Sequence, residues 1–454
     1  MLLNGFDILI IVIYAVIVLI VGIWPTRLNR AGSFLISDRQ LGGATSGLTI
    51  AASKIGAGAI VTYAALIFTY GAQALWMYIG YILGYVVFYF FATRLHRESR
   101  KAEYYTIADY FRVHSGNGAA IIVGLLTTVS LFGWVLTNFI AGGKLLALAT
   151  GLPLAVTMCF MAAVILAYLL VAGFNAVVRT DVIQYVSLIV VLLILACVAT
   201  FTEVSESDVT FEAMPVGQII GLFVLGLFFP MGSAELWQRV YATRDPKSLR
   251  RAIVFASASF VILAGALSVI FLKLAQLGTP DQDIDKEIAV FRVVGDRLGS
   301  GLAGIWVIAL LSAIASSADT FVFTTSASVV VDVAERFLGR MKDRRVYRIR
   351  VGLIISSVIG ITLALIIGDV INVTFLFAGM TMGLGAVAMV VWLYPALPSW
   401  VIISACTFGN VASLIHALFK GISVTTAVIN LGSCFIITGV CAAFIAGTAK
   451  IRRV

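Results

Sequence analysis

Long apolar runs, separated by short polar or charged segments, recur from one end of this chain to the other. An α-helix needs about 20 apolar residues to cross a ~30 Å hydrocarbon core. The pattern predicts thirteen such spans, over residues 5–24, 42–70, 73–93, 118–148, 153–173, 180–201, 215–241, 251–276, 300–334, 349–368, 370–393, 397–418 and 423–447. Two of them are interrupted. The second holds Gly42, Gly43 and Gly47, then Lys54-Ile-Gly-Ala-Gly58, too rich in glycine and too polar for unbroken helix. The seventh holds Phe229-Pro-Met-Gly232, where Pro230 removes an amide donor and Gly232 admits an unusual backbone.

Glycine in a membrane helix usually serves close packing. Here two clusters, one of them containing a lysine, fall at matched positions five spans apart, which favours real breaks. Because five is odd, the two segments cross in opposite directions. That is the pattern of an inverted repeat whose broken helices meet at the midplane. Spans 2–6 (42–201) and 7–11 (215–393) are then the two repeats. The first helix (5–24) and the last pair (397–447) are peripheral, all within a single membrane domain, 1–454.

Composition narrows the class. The chain is 61% hydrophobic and only 12% charged, which excludes an ordinary soluble protein and leaves an all-α polytopic membrane protein. No basic region precedes the first apolar run and no small-residue cleavage site follows it, so it reads as a retained span. The net charge of +9 is no nucleic-acid face, because the basic residues alternate by loop. Loops 25–41, 94–117, 242–250 and 335–348 carry the clusters, such as Arg336, Arg340, Lys342, Arg344, Arg345 and Arg348. The alternate loops are short or acidic, with Glu203, Glu206, Asp208 and Glu212 in one and Asp281, Asp283, Asp285 and Glu287 in another. Basic loops stay on the cytoplasmic side. This places the N-terminus outside and the C-terminus, with Lys450, Arg452 and Arg453, inside a plasma (inner) membrane. Cys159, Cys197, Cys406, Cys434 and Cys441 all fall in apolar runs without paired spacing, so neither a disulfide framework nor a zinc site is expected.

The candidate chemistry lies in Ala313-Ile-Ala-Ser-Ser-Ala-Asp-Thr320. Residues three and four apart share a helix face, so Ser316 aligns with Ala313, Asp319 and Thr320, with Ser317 at the edge. Oxygens converging at bilayer depth suit a hard cation. A serine alone would as readily bond back to its preceding turn. The carboxylates Asp319 and Asp181 shift the balance, since a buried charge costs ~2.5–3.5 kcal/mol unless matched. Asp181 near a span end also suits a helix dipole.

In order along the chain, Leu35-Ile-Ser-Asp-Arg-Gln-Leu-Gly-Gly43, Thr106-Ile-Ala-Asp-Tyr-Phe111, Ala176-Val-Val-Arg-Thr-Asp-Val-Ile-Gln184 and Ser316-Ser-Ala-Asp-Thr320 with Ser326, Ser328 and Asp332 resemble the motifs of the sodium/solute symporter family. That family includes proline, pantothenate, sialic acid and sugar carriers. The resemblance covers nearly the whole chain and implies a LeuT-type 5+5 inverted repeat working by alternating access. It implies a sodium site of carbonyls from Ala52, Ile55 and Ala313 and hydroxyls from Ser316 and Ser317. A second sodium, as in the sialic acid carriers, falls on Asp181, Ser316, Asp319 and Thr320. Ser233, Glu235, Gln73, Trp76 and Tyr78 match substrate-facing positions, although an interfacial belt suits the two aromatics equally.

Lys54 departs from the family, which usually has a neutral or acidic residue there. A mid-span lysine cannot snorkel and needs a partner or a shifted pKa. It would bind an anionic solute, form an ion pair with Glu235 or Asp319, or carry a proton.

The function expected is sodium-coupled symport of a small polar organic solute into the cell, with an amino acid or organic acid slightly favoured. Proton coupling on the same fold is the runner-up. A solute sensor is disfavoured because the chain ends at Val454 with no kinase-sized region, and a passive channel because broken helices suit occlusion. No nucleophile–base pair or phosphate loop points to an enzyme, and His96, His114 and His416 lie at or near span ends. Sodium, a solute and the lipid bilayer are the expected partners, with no nucleic acid.

Overall fold

The structure is a computed structural model that describes residues 3–24, 31–201, 211–276, 301–335, 344–395 and 397–451. Glu203, Glu206, Asp208, Asp281, Asp283, Asp285, Glu287, Arg336, Arg340, Lys342, Arg452 and Arg453, used above for orientation, lie outside the described residues. In chain order the helices are α1 (Gly5–Ile23), α2 (Ala31–Ile36), α3 (Gly43–Ala52), α4 (Ala57–Tyr70), α5 (Leu75–Ala102), α6 (Ile107–Ser115), α7 (Asn117–Thr150), α8 (Leu154–Ala172) and α9 (Phe174–Phe201). They continue with α10 (Val216–Gly232), α11 (Ala234–Ala242), α12 (Pro246–Gln276), α13 (Leu302–Ser328), α14 (Arg345–Ile367), α15 (Val370–Leu393), α16 (Ser399–Lys420) and α17 (Val424–Ile451). Among the described residues, eleven helical stretches are long and apolar enough to cross a membrane, or twelve when the pair bent by 42° at Ser233 counts as one more.

Both interruptions are present. α3 stops at Ala52 and α4 restarts at Ala57, where Asn138 Oδ1 of α7 accepts the Ala57 N–H at 3.1 Å. In the seventh span Ser233 is extended (φ −80°, ψ 95°) between α10 and α11. Trp237 Nε1 donates to the Met231 carbonyl at 2.9 Å, satisfying a group that the break frees. Several helices overrun their predicted spans: α5 continues to Ala102, α9 starts at Phe174 and α12 at Pro246. Hydropathy marks where lipid ends, whereas the backbone ladder continues into the charged zone beyond it.

Packing pairs the two halves crosswise. α3 lies against α12 and α9, and α10 against α5 and α15. α7 lies against α13, with α15 on α7 answering α9 on α13. Each of these three contacts made by a helix of one half is mirrored by its counterpart in the other. α16 and α17 pack on each other and on α15, while α1 covers α8, α9 and α13.

One seam is backbone on backbone. A Cβ on Gly80 of α5 would lie 2.1 Å from the Phe223 carbonyl of α10, and one on Gly226 would lie 2.6 Å from both Met77 O and Tyr81 N. Small residues permit this approach in membranes, where lipid tails leave packing as a main source of association. Gly80→Ala should cost about 1–3 kcal/mol by overpacking, read as a lower melting temperature of the purified protein in detergent. Gly265→Ala, whose Cβ would meet nothing within 4 Å, is the matched control.

The side bearing the basic loops is tightly laced. Ser37, Asp38 and Arg39 run through left-handed φ values of 47°, 50° and 60°, a conformation that costs roughly 1–2 kcal/mol per residue outside glycine. Arg39 holds the turn by donating to the carbonyls of Tyr104 (2.8 Å) and Tyr241 (3.4 Å). Arg100 donates in turn to the carbonyls of Arg39, Thr243 and Arg244.

Candidate cation and solute site

α13 delivers its hydroxyls to the gap between α3 and α4. Ser316 Oγ donates to the Ala52 carbonyl at 3.2 Å or the Ala313 carbonyl at 3.1 Å, and Ser317 Oγ to the Ser53 carbonyl at 3.4 Å. A Cβ on Gly56 would sit 2.7 Å from Ser317 Cβ and Oγ, so this serine lies against the Ile55–Gly56 peptide. Ala52, Ile55, Ala313, Ser316 and Ser317 therefore gather in one buried volume, each at most 1% exposed. The helix break makes this cluster: carbonyls released from the α3 ladder face hydroxyls carried by an unbroken helix. Gly56→Ala would displace Ser317, and we expect it to weaken cation binding about tenfold, measured by Na⁺-dependent thermal stabilisation.

One helical turn further on, two carboxylates and an arginine share the buried layer. Asp319 Oδ2 accepts from Tyr168 Oη at 2.7 Å and Thr180 Oγ1 at 3.1 Å. Asp181 Oδ2 accepts from Thr49 Oγ1 and, at 3.0 Å, from Arg239. Arg239 comes from α11 with its side chain wholly buried. It also donates to Thr320 Oγ1 at 2.8 Å, to the Thr49 carbonyl at 3.1 Å and to the Glu235 carbonyl at 3.1 Å. Asp319 Oδ1 and Asp181 Oδ1 are buried without a hydrogen-bond partner. Among the described residues Asp319 has no basic side chain within ion-pair distance, whereas Asp181 has Arg239.

Lys54 pairs with Glu235, joining the break of the second span to the first turn after the break of the seventh. Its ammonium also lies 4.8 Å from the Phe229 ring centroid. Lys54 borders a mainly apolar cavity that reaches Asn138 and Trp134 on α7, Met77, Tyr78 and Tyr81 on α5, and Thr374 on α15. Thr62, Tyr78 and Thr374 line this cavity, and their buried hydroxyls have no protein hydrogen-bond partner. A few unmet polar atoms in an apolar chamber are what a small-molecule site presents.

The expected residues divide by place. Lys54 and Tyr78 line the cavity, with Glu235 bound to Lys54. Ser233 Oγ donates to the Phe229 carbonyl at 2.8 Å on its own span. Gln73 ties down residues 212–214 by donating to the Glu212 carbonyl and accepting the Met214 N–H. Trp76 is 41% exposed and meets Phe223 edge-on. Ser233, Gln73 and Trp76 thus lie outside the cavity lining. The sequence reading passed over Arg239, Asn138, Thr49, Tyr168 and Thr180.

A helical membrane protein with two opposed, broken spans meeting at a buried polar cluster beside a cavity has the architecture of LeuT-type transporters. Solved structures agree on the fold. A Na⁺-coupled sialic acid symporter in a substrate-bound outward-open state superposes with a TM-score of 0.80 at 16% identity, covering 97% of this chain and 98% of that one. A nucleobase-cation-symport-1 family transporter superposes with a TM-score of 0.58 at 14% identity, covering 93% and 96%. The sodium:solute symporter family model matches residues 34–399, and the chain belongs to that family. It is a multi-pass protein of the plasma membrane. Among its relatives are a sodium/proline symporter 2 of Staphylococcus saprophyticus, 27% identical over 74% of this chain and 69% of that protein, and a sodium/proline symporter of Staphylococcus aureus, 24% identical over the same shares.

Proposed function

We propose that this protein is a sodium-coupled importer of a small polar organic solute, an amino acid or organic acid in the first instance, working by alternating access. The reading is carried by one observation: the Ala52 carbonyl at the broken end of α3 lies within hydrogen-bond reach of Ser316 on α13, with Ser317 against the Ile55–Gly56 peptide. Rotation of the two hydroxyls turns their lone pairs toward a cation that the three carbonyls also face. Sodium bound there ties the second span to the ninth and favours the outward-facing arrangement. Its loss to the sodium-poor interior lets the two part.

We assign thirteen crossings, with the N-terminus outside and the C-terminus inside. The 46-residue stretch Ala57–Ala102 supports the count, because it would run about 69 Å as one helix. It is also interrupted at Gly71 (φ 58°). The repeats are 42–201 and 215–393, and the crosswise packing supports them.

Asp319 and the free Oδ1 of Asp181 favour a second cation beside the first. Asp319→Asn should lower the Hill slope of Na⁺-dependent thermal stabilisation from near two to near one, by about one bound ion. A slope of one in both proteins, with a pH-dependent midpoint in the parent alone, would assign a proton to that carboxylate instead. For the function itself, purified protein is screened by thermal shift against amino and organic acids with and without NaCl, and the hits are carried into proteoliposome uptake. Uptake that ignores the Na⁺ gradient for every stabilising solute would overturn sodium coupling.

A further inference from the structure

The chamber that Lys54 borders is walled mostly by hydrocarbon and rings. Trp134 and Phe321 stack with centroids 5.8 Å apart and planes 20° apart, and Phe229 meets Trp134 edge-on at 5.5 Å. Trp134 Nε1 donates to Thr381 Oγ1 at 3.0 Å, outside the lining, so its one polar atom is engaged elsewhere.

Polar groups on these walls are few. Asn138 accepts the Ala57 N–H and donates to the Trp134 carbonyl at 2.8 Å. The hydroxyls of Thr62, Tyr78 and Thr374 stand without a protein partner. A sugar carries a hydrogen-bonding group on nearly every carbon, and most of them would go unmatched here at a cost. A solute with one polar end and an apolar body leaves few such groups.

Charge decides the nature of that end. Lys54 is the one charged side chain among the described lining residues. Its ammonium has three N–H donors, of which the bond to Glu235 uses one, and Glu235 is not in the lining. An amino acid's own ammonium would meet like charge there, with no carboxylate on the described walls to answer it. The wider layer points the same way. Lys54 and Arg239 are buried with Glu235, Asp181 and Asp319, two positive charges against three negative. On the sodium-coupled reading above, a cation at Ser316 and Ser317 evens the balance. A second positive charge at Asp319, sodium or proton, leaves an excess of one, which a singly negative solute cancels.

We propose that the transported solute is a monocarboxylate with an apolar body, its carboxylate on Lys54 and its hydrocarbon or ring along Phe229, Trp134 and Phe321. The assignment rests on sodium coupling and on the second positive charge at Asp319, both proposed above. The two ends of such a solute fall in register with the walls. The Lys54 ammonium lies 4.8 Å from the Phe229 ring centroid, so the aromatic wall begins beside the charge. A dicarboxylate would bring a second charge with no partner, and a short acid would leave the rings uncovered.

The test is thermal stabilisation of the purified full-length protein by matched probes: 3-phenylpropanoate, its amide, phenylalanine and 3-phenylpropylamine, with 4-methylpentanoate as an aliphatic acid. In NaCl, 3-phenylpropanoate should reach its half-maximal effect at a concentration at least about tenfold below its amide, phenylalanine and the amine, through charge-assisted bonds to the ammonium. Partition into detergent would favour the uncharged amide, the opposite order. Propanoate, which lacks the ring, should be weaker than 3-phenylpropanoate by about tenfold or more. In the Lys54→Met, Glu235→Leu double variant the acid-to-amide ratio should fall to near one. Should that variant fold poorly, the order of the probes in the parent protein decides. An amide or phenylalanine that binds as tightly as the acid would sink the monocarboxylate, as would a ratio unmoved in the double variant. Failure of both acids to stabilise the parent would sink it too, and Na⁺ stabilisation of the same sample would show that sodium coupling survives. If the acids bind equally in NaCl and in choline chloride, sodium coupling falls and the solute class stands.

Discussion

Alanine at both Ser316 and Ser317 raises the Na⁺ concentration for half-maximal thermal stabilisation by at least about 100-fold, or about 2.7 kcal/mol. The size follows from what is removed. Contacts between a charge and a neutral oxygen contribute about 1.5–3 kcal/mol each, and the variant deletes two of five. The three carbonyls remain, so weak binding persists at high salt. Ser326→Ala is the control: that hydroxyl donates to the Val322 carbonyl at 2.7 Å, one turn back on its own helix, and its loss should leave the midpoint within about twofold. A double alanine variant that titrates like its parent would remove these hydroxyls from the cation site.

Glu235→Leu should destabilise the protein by about 3–5 kcal/mol, because it strands the Lys54 ammonium in a buried chamber. Replacing both partners, as Lys54→Met with Glu235→Leu, should recover most of that loss. The desolvation cost then vanishes together with the attraction, and a hydrophobic pair of similar volume is often neutral. Chemical unfolding of the single and double variants in detergent measures both. If the single change costs less than about 1 kcal/mol, the ammonium has found another partner or given up its proton. Solute uptake by the stable double variant then shows whether the pair also serves transport. Retained uptake limits Lys54 to joining the two breaks, and lost uptake places its charge in contact with the solute.

Much of this architecture was legible in the sequence for physical reasons. Lipid imposes a long apolar run on every crossing, so the positions of the helices follow from hydropathy. Gly56, Pro230 and Gly232 forecast the two breaks, because few other residues tolerate a lapse in the helical ladder. Spacing of three and four placed Ser316, Asp319 and Thr320 on one face before any fold was known. Helix ends were less visible: α5 runs on through Arg94, Arg97 and Arg100, where charge ends the lipid but not the helix.

Long-range partners were the hardest part. Lys54 and Glu235 are 181 residues apart, and Arg239 and Asp181 are 58 apart. For an ion pair, Lys54 has two candidate partners in sequence, Glu235 and Asp319, and one-dimensional patterning offers no way to rank two carboxylates at similar depth. Arg239 was obscured for a related reason. Its wholly buried guanidinium is matched by Asp181, Thr320 and two carbonyls that come from three other helices and its own, so no local signal announces them. Gln73 and Trp76 show the converse, since a polar and an aromatic residue at a span's end serve a loop and a neighbouring ring.

The glycine seam between α5 and α10 bears on how the molecule can move. With Gly80 and Gly226 seating one main chain against the other, sliding would lift a peptide carbonyl over a Cα, much as a key resists being drawn sideways from its slot. These two helices, drawn from opposite repeats, are therefore constrained to travel as a single lever. Flexing is left to the chain on either side of that lever, at Gly71 and at Ser233.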